Sequence, residues 1–122
     1  MVLELAASTQ LFLFPVMCAH YTRCWLRFPM CAMYVTSLMY HVTESGSWLL
    51  IDLAASQVCA ALVLYHVTLR YRGTYALLLL NNVGACYTIS CLLHHFCSEW
   101  WVVAHMYFHF WAAGTWLVSI HI

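Results

Sequence analysis

The sequence predicts an all-α protein, a polytopic bundle of about five transmembrane helices in a single domain over residues 1–122. Three observations carry that reading. The chain is 66% hydrophobic and only 7% charged, and its mean hydropathy is +0.83. It contains no lysine. A soluble domain of this size leaves so much of its surface in water that it could not hide this apolar content, so lipid is the natural solvent. The apolar residues also fall into runs near the roughly 20 residues that a helix needs to cross a bilayer.

The first run, Leu5–Tyr21, is short and holds Pro15. It carries Glu4 and no basic residue ahead of the apolar stretch, unlike a secretory signal peptide. A spanning helix is therefore expected. Arg23 separates it from the second run, Trp25–Thr43, whose start is marked by Arg27 and Pro29. The polar turn Glu44-Ser45-Gly46-Ser47 leads to the third, Trp48–Leu69. Arg70-Tyr71-Arg72-Gly73-Thr74 is a second polar break, before Tyr75–Cys97. Ser98-Glu99 is the last and shortest, so a tight hairpin must join that run to Trp100–Ile122. No internal repeat, low-complexity stretch or long linker interrupts this order.

Charge sets the expected orientation. Arg23, Arg27, Arg70 and Arg72 lie in the loops after the first and third spans, whereas Glu4, Glu44, Asp52 and Glu99 lie at the opposite face. Arginine-rich loops stay cytoplasmic. The expectation is an N-terminus outside, a C-terminus inside and five crossings. Trp48, Trp100 and Trp101 fit the outer interface.

That orientation brings unusual residues to one depth. Ser37-x-x-x-His41 ends the second span, Asp52-x-x-x-Ser56 begins the third, and His105-x-x-x-His109 sits early in the last. At 1.5 Å per residue, Asp52 lies about 7 Å below the outer interface, His105 about 9 Å and His109 about 15 Å. His105 and His109, four residues apart, project from one helix face. Ionisable side chains are costly in lipid and mark function there. Three histidines with a nearby carboxylate match the needs of a catalytic zinc. Any single histidine of the set is more simply read as a helix contact or a cavity residue, and the serines as helix-packing glue. The convergence makes the case.

These residues resemble a known pattern. Ser37-Leu38-Met39-Tyr40-His41, then Asp52, then His105-Met106-Tyr107-Phe108-His109 is similar to the signature of the superfamily joining alkaline ceramidases, progestin and adiponectin receptors, and myomaker-like proteins. Tyr40-His41, Asp52-Leu53-Ala54-Ala55-Ser56 and Ala112-Ala113-Gly114 resemble the myomaker-like branch. The likeness covers roughly residues 11–65 and 98–118. The chain departs from the family's seven spans, and the shortfall lies between Asp52 and His105. A loss of two helices preserves parity, so the last helix still enters from the same side.

The resemblance implies zinc held by His41, His105 and His109, with Asp52 orienting or deprotonating a water and Ser37 bonding that water, a histidine or an oxyanion. The implied function is zinc-dependent hydrolysis of a lipid amide or ester by metal-activated water, ceramidase- or phospholipase-like, with a membrane lipid as substrate or ligand. The alternative is a non-catalytic myomaker-like fusion, organising or receptor protein with a structural metal. Either is integral to the plasma membrane or an endomembrane, with its site near the exoplasmic leaflet.

Other features point elsewhere or nowhere. His20, His66 and His121 near the cytoplasmic face permit a clamp for b-type haem, which would leave the Ser37, Asp52 and His-x-x-x-His pattern unexplained. His94 and His95 read as solvated interface residues, with lining of a substrate mouth or a spare metal ligand as alternatives. Asn81-Asn82 reads as a hydrogen-bonding pair between helices. The seven cysteines form no C-x-x-C and no disulfide framework, and Cys24 beside Arg23 reads as an unmodified thiol, with palmitoylation as the alternative. The absence of a Gly-rich phosphate loop or basic stripe argues against nucleotide and nucleic-acid binding.

Overall fold

A computed structural model of the protein describes residues 3–70, 74–96 and 99–121, apart from the side chains of Tyr75, Ala76, Leu79 and His121. Arg72 and Gly73 of the second arginine turn, and Cys97 and Ser98, lie outside the described residues. The described chain is helical between turns, without a strand.

The first helical rod is α1 (Leu3–Thr9), a 3-10 turn (Gln10–Phe12) and α2 (Leu13–Tyr21). The change of winding has a local cause. Pro15 offers no N–H to the turn before it, and its ring crowds the carbonyl four residues back, at Leu11. The ladder tightens there into the 3-10 pattern, with the Leu13 N–H reaching Gln10 O. α2 ends with Arg23 in the left-handed region at φ 54°. Arg23 N donates to His20 O at 3.1 Å and Cys24 N to Ala19 O at 2.8 Å. This is the pairing of a Schellman stop, in which a residue other than glycine holds the left-handed position.

α3 (Arg27–Thr43) tolerates Pro29 because the proline lies in its first turn, where no N–H is needed. It ends at Glu44, also left-handed at φ 53°, with Glu44 N donating to Tyr40 O at 2.7 Å. Gly46, the more obvious left-handed residue, is instead the first residue of α4 (Gly46–Arg70). α5 (Thr74–His95) and α6 (Trp101–His121) complete the fold.

Only one described helix, α4, is long and apolar enough by length and composition to cross a membrane, with a mean hydropathy of 1.8 over its best stretch. Only 11% of that stretch is buried, so α4 is not the shielded core helix of a soluble fold. The all-helical reading therefore stands, but five crossings do not follow from length and hydropathy. α3 has 17 residues, short of the usual span. α6 includes His105 and His109 as well as His121, and the polar imidazoles reduce its hydropathy.

Packing is uneven. α6 lies extensively along α5 and also meets α1 and α2, while α3 lies along α4 and the same first rod. α4 touches α5 and α6 only lightly. Phe12, Leu26, Met30, Cys59, Val63, Val67 and Trp116 are buried together in the core. The outside is apolar too: Leu50 is 70% exposed, and Leu69, Leu92, Phe96 and Phe110 are similarly open. Asn81 and Asn82 are exposed on α5 rather than set between helices, because α5 is covered chiefly where it meets α6. The six described cysteines are free thiols.

Candidate metal centre and its cavity

The last turns of α3 and the first half of α6 bring three imidazoles together. His41, His105 and His109 each offer a ring nitrogen, and these nitrogens lie within 4.8 Å of one another. The ring centroids are 5.2 Å apart for His41 and His105, 5.1 Å for His41 and His109, and 4.7 Å for His105 and His109. All three pairs meet edge to face. The i, i+4 spacing of the α6 pair produces its proximity, as expected for one helix face. Meeting His41 requires the tertiary fold.

The surroundings fix the rings. The Ser8 hydroxyl lies 2.7 Å from His109 Nδ1, and the Ser90 hydroxyl 2.9 Å from His105 Nδ1. Phe12 packs edge-on against His109 at 5.4 Å. Trp101 and Phe108 flank His105. His109 is fully buried and His41 is 5% exposed, yet Nε2 of each has no hydrogen-bond partner. A buried polar nitrogen without a partner is costly, and two such atoms in one cluster call for an explanation.

A bound metal provides one. Nitrogens at 2.0–2.1 Å around a tetrahedral zinc sit about 3.3 Å from one another, so small inward shifts of the rings complete the geometry. With Nδ1 of His105 and His109 occupied by serines, Nε2 is the nitrogen available on each. A hydrogen bond to the non-ligating nitrogen is the usual support of a metal-bound imidazole. The donor set therefore fits a metal ion, and the three imidazoles are those anticipated in the sequence.

Beside the cluster lies a cavity of about 660 Å³ between α3 and α4 on one side and α5 and α6 on the other. His41, His105, Ser37, Asp52 and Ser56 line it, and its remaining wall is mostly apolar, including Leu53, Leu64, Leu80, Val83 and Trp116. Asp52 is half-buried, and Thr36 Oγ1 donates to its Oδ1 at 3.1 Å. It shares the cavity with the histidines but is not part of the close cluster. Ser37 is buried at the cavity wall one turn before His41.

The remaining histidines separate from this group. His94 is exposed, at the cavity wall and edge-on to Trp101, and His95 is exposed against Phe96. His66 is buried and accepts the Trp25 indole N–H at 3.1 Å, whereas His20 is exposed. The His121 side chain lies outside the described residues.

Sequence reasoning missed Ser8, Ser90 and Thr36. Serine and threonine are ordinary helix residues, and Ser8 is 101 positions from its partner His109. No local spacing announces that pairing. Compared with known proteins, the chain matches no family model, no curated protein and no solved structure.

Proposed function

We propose that this chain is an integral membrane protein with a zinc site of His41, His105 and His109, and that it hydrolyses an amide or ester bond of a membrane lipid. The observation that carries the reading is the buried histidine cluster, with unpartnered Nε2 atoms, beside an apolar cavity that also holds a carboxylate. In this reading the chain crosses the membrane five times, with its N-terminus outside. It is a truncated or minimal relative of the ceramidase and progestin–adiponectin receptor superfamily, most like the myomaker-like branch. The apolar exterior of the helices, Leu50, Leu69, Leu92 and Phe110 among them, supports a lipid environment. The opposed placement of arginines and acids supports the orientation.

When bound, zinc would supply a Lewis acid and lower the pKa of a coordinated water toward neutrality. The chain's residues do the rest. Asp52 accepts the proton of the attacking water. The hydroxyls of Thr36 and Ser56 hydrogen-bond that carboxylate and hold it at the cavity wall for the transfer. The Ser37 hydroxyl donates to the oxygen on which negative charge develops. The apolar wall of Leu53, Leu64, Leu80 and Val83 receives an acyl chain and keeps bulk water away. The proton held by Asp52 then passes to the leaving amine or alkoxide.

A second reading keeps the metal as a structural tie. It is favoured by the full burial of His109, which is enclosed by Ser8 and Phe12 rather than at the cavity wall. The experiment that chooses is metal analysis of purified protein, followed by turnover assays with amide- and ester-linked lipids. Zinc with turnover supports the enzyme. Zinc without turnover on either class leaves the structural tie, and no bound metal rejects both.

A further inference from the structure

We infer that Ser8 is a positioning residue: it holds His109 in the tautomer protonated on Nδ1, so that the bare Nε2 is the nitrogen offered to His41 and His105. The inference rests on the metal reading above and adds to it a role for the first helical rod, which contributes no histidine to the cluster.

The Ser8 hydroxyl has one proton and two neighbours, Leu5 O at 3.0 Å and His109 Nδ1 at 2.7 Å. Two arrangements are possible. In the first, His109 Nδ1–H donates to Ser8 Oγ, and Ser8 donates onward to Leu5 O, a carbonyl that also takes the Thr9 hydroxyl at 2.8 Å. Every donor is then used, and the unpartnered Nε2 carries only a lone pair. In the second, Ser8 donates to Nδ1, and the proton of the neutral ring sits on Nε2. That leaves a fully buried N–H with no acceptor. Buried donors without partners are rarer in proteins than unused acceptor lone pairs. The first arrangement is therefore preferred, and it is the one in which Nε2 can ligate a metal.

The geometry holds the ring as well as its proton. Ser8 and Phe12 are four residues apart in the first rod, and both touch His109, one through the hydroxyl and one through the ring edge. Ser90 repeats the device on His105 from α5, at 2.9 Å. Each ligating histidine of α6 is thus anchored at Nδ1 by a buried serine of a different helix.

Two measurements test this. The first needs no metal: nitrogen-15 shifts of His109 in the metal-free full-length protein should show Nδ1 protonated and Nε2 bare. An Nε2-protonated ring overturns the inference, whether or not any variant folds. The second is zinc affinity. Ser8→Ala should weaken it about 10- to 100-fold, the usual cost of losing a hydrogen bond behind a metal ligand. Ser8→Thr keeps the hydroxyl and should stay within about 3-fold of the parent, since the bond to Nδ1 remains. Parent-like affinity in Ser8→Ala, or equal losses in both variants, overturns the role of the hydroxyl. A parent that binds no zinc refutes the metal centre, while the nitrogen-15 result still decides the tautomer.

Discussion

His109 is held from three directions: by Ser8 and Phe12 of the first rod, by His41 of α3 and by His105 of its own helix. Replacing it therefore removes more than a ligand. His109→Ala should empty the metal site and lower thermal stability, because metal binding energy is also folding energy in such a site. Asp52→Asn differs in kind. It keeps the size of the side chain and can still accept the Thr36 hydrogen bond, but it cannot take a proton. It should retain zinc and melt near the parent, while lipid hydrolysis falls by about 10²-fold or more. Zinc content, melting temperature and turnover in the two variants separate the roles. Metal loss in Asp52→Asn would make the carboxylate a ligand instead. At this scale the sequence was informative where spacing encodes geometry. The i, i+4 pair on α6 announced a shared face, and Ser37 and His41 shared another. It was silent on Ser8, Ser90 and Thr36, because their partners are set by tertiary packing.

The element boundaries were legible because turn chemistry interrupts each apolar run. Arg23 and Glu44 fall between observed helices, and the Arg70–Thr74 break coincides with the end of α4 and the start of α5. Less legible was the local conformation. Gly46, part of the expected polar turn, opens α4, and the left-handed positions went to Arg23 and Glu44. A residue with a Cβ pays about 1–2 kcal/mol to sit there. Arg23→Gly relieves that strain at an exposed position, offset in part by the greater freedom of glycine in the unfolded chain. The expected net is a stabilisation of about 0.5–1 kcal/mol, read as a higher melting temperature. A lower one would mean that the arginine side chain contributes more than its backbone strain costs. The second prediction at this scale is topological. A cysteine at Ser45 should react with an impermeant reagent added outside cells, and one at Gly73 should not, in a background whose native thiols have been removed. The reverse pattern would move the histidine cluster to the cytoplasmic leaflet.

At the scale of the molecule, the fold is two helix pairs against a shared first rod, α3 with α4 and α5 with α6, and the cavity is the space between the pairs. The resemblance implied two more helices between Asp52 and His105. In the chain that stretch holds the rest of α4 and all of α5, the two helices that touch only lightly across the cavity. The histidines lie on α3 and α6, both packed on the first rod, so their clustering does not depend on closure of that side. In the proposed lipid hydrolase, enclosure of the acyl chain would. Metal binding and turnover should accordingly come apart when conditions loosen the bundle. Zinc occupancy should persist from lipid bilayers into mild detergent, whereas hydrolysis should be strong in bilayers and weak in detergent, where no surrounding lipid completes the cavity wall. The bound metal should also be accompanied by no Soret absorption, and replacing His66, which accepts the Trp25 N–H far from the cluster in sequence, should leave zinc content unchanged. A Soret band lost with His66 would make the chain a haem protein. Zinc that leaves in detergent together with activity would tie the histidine cluster to the same weak seam as the cavity, against the packing of α3 and α6 on the first rod.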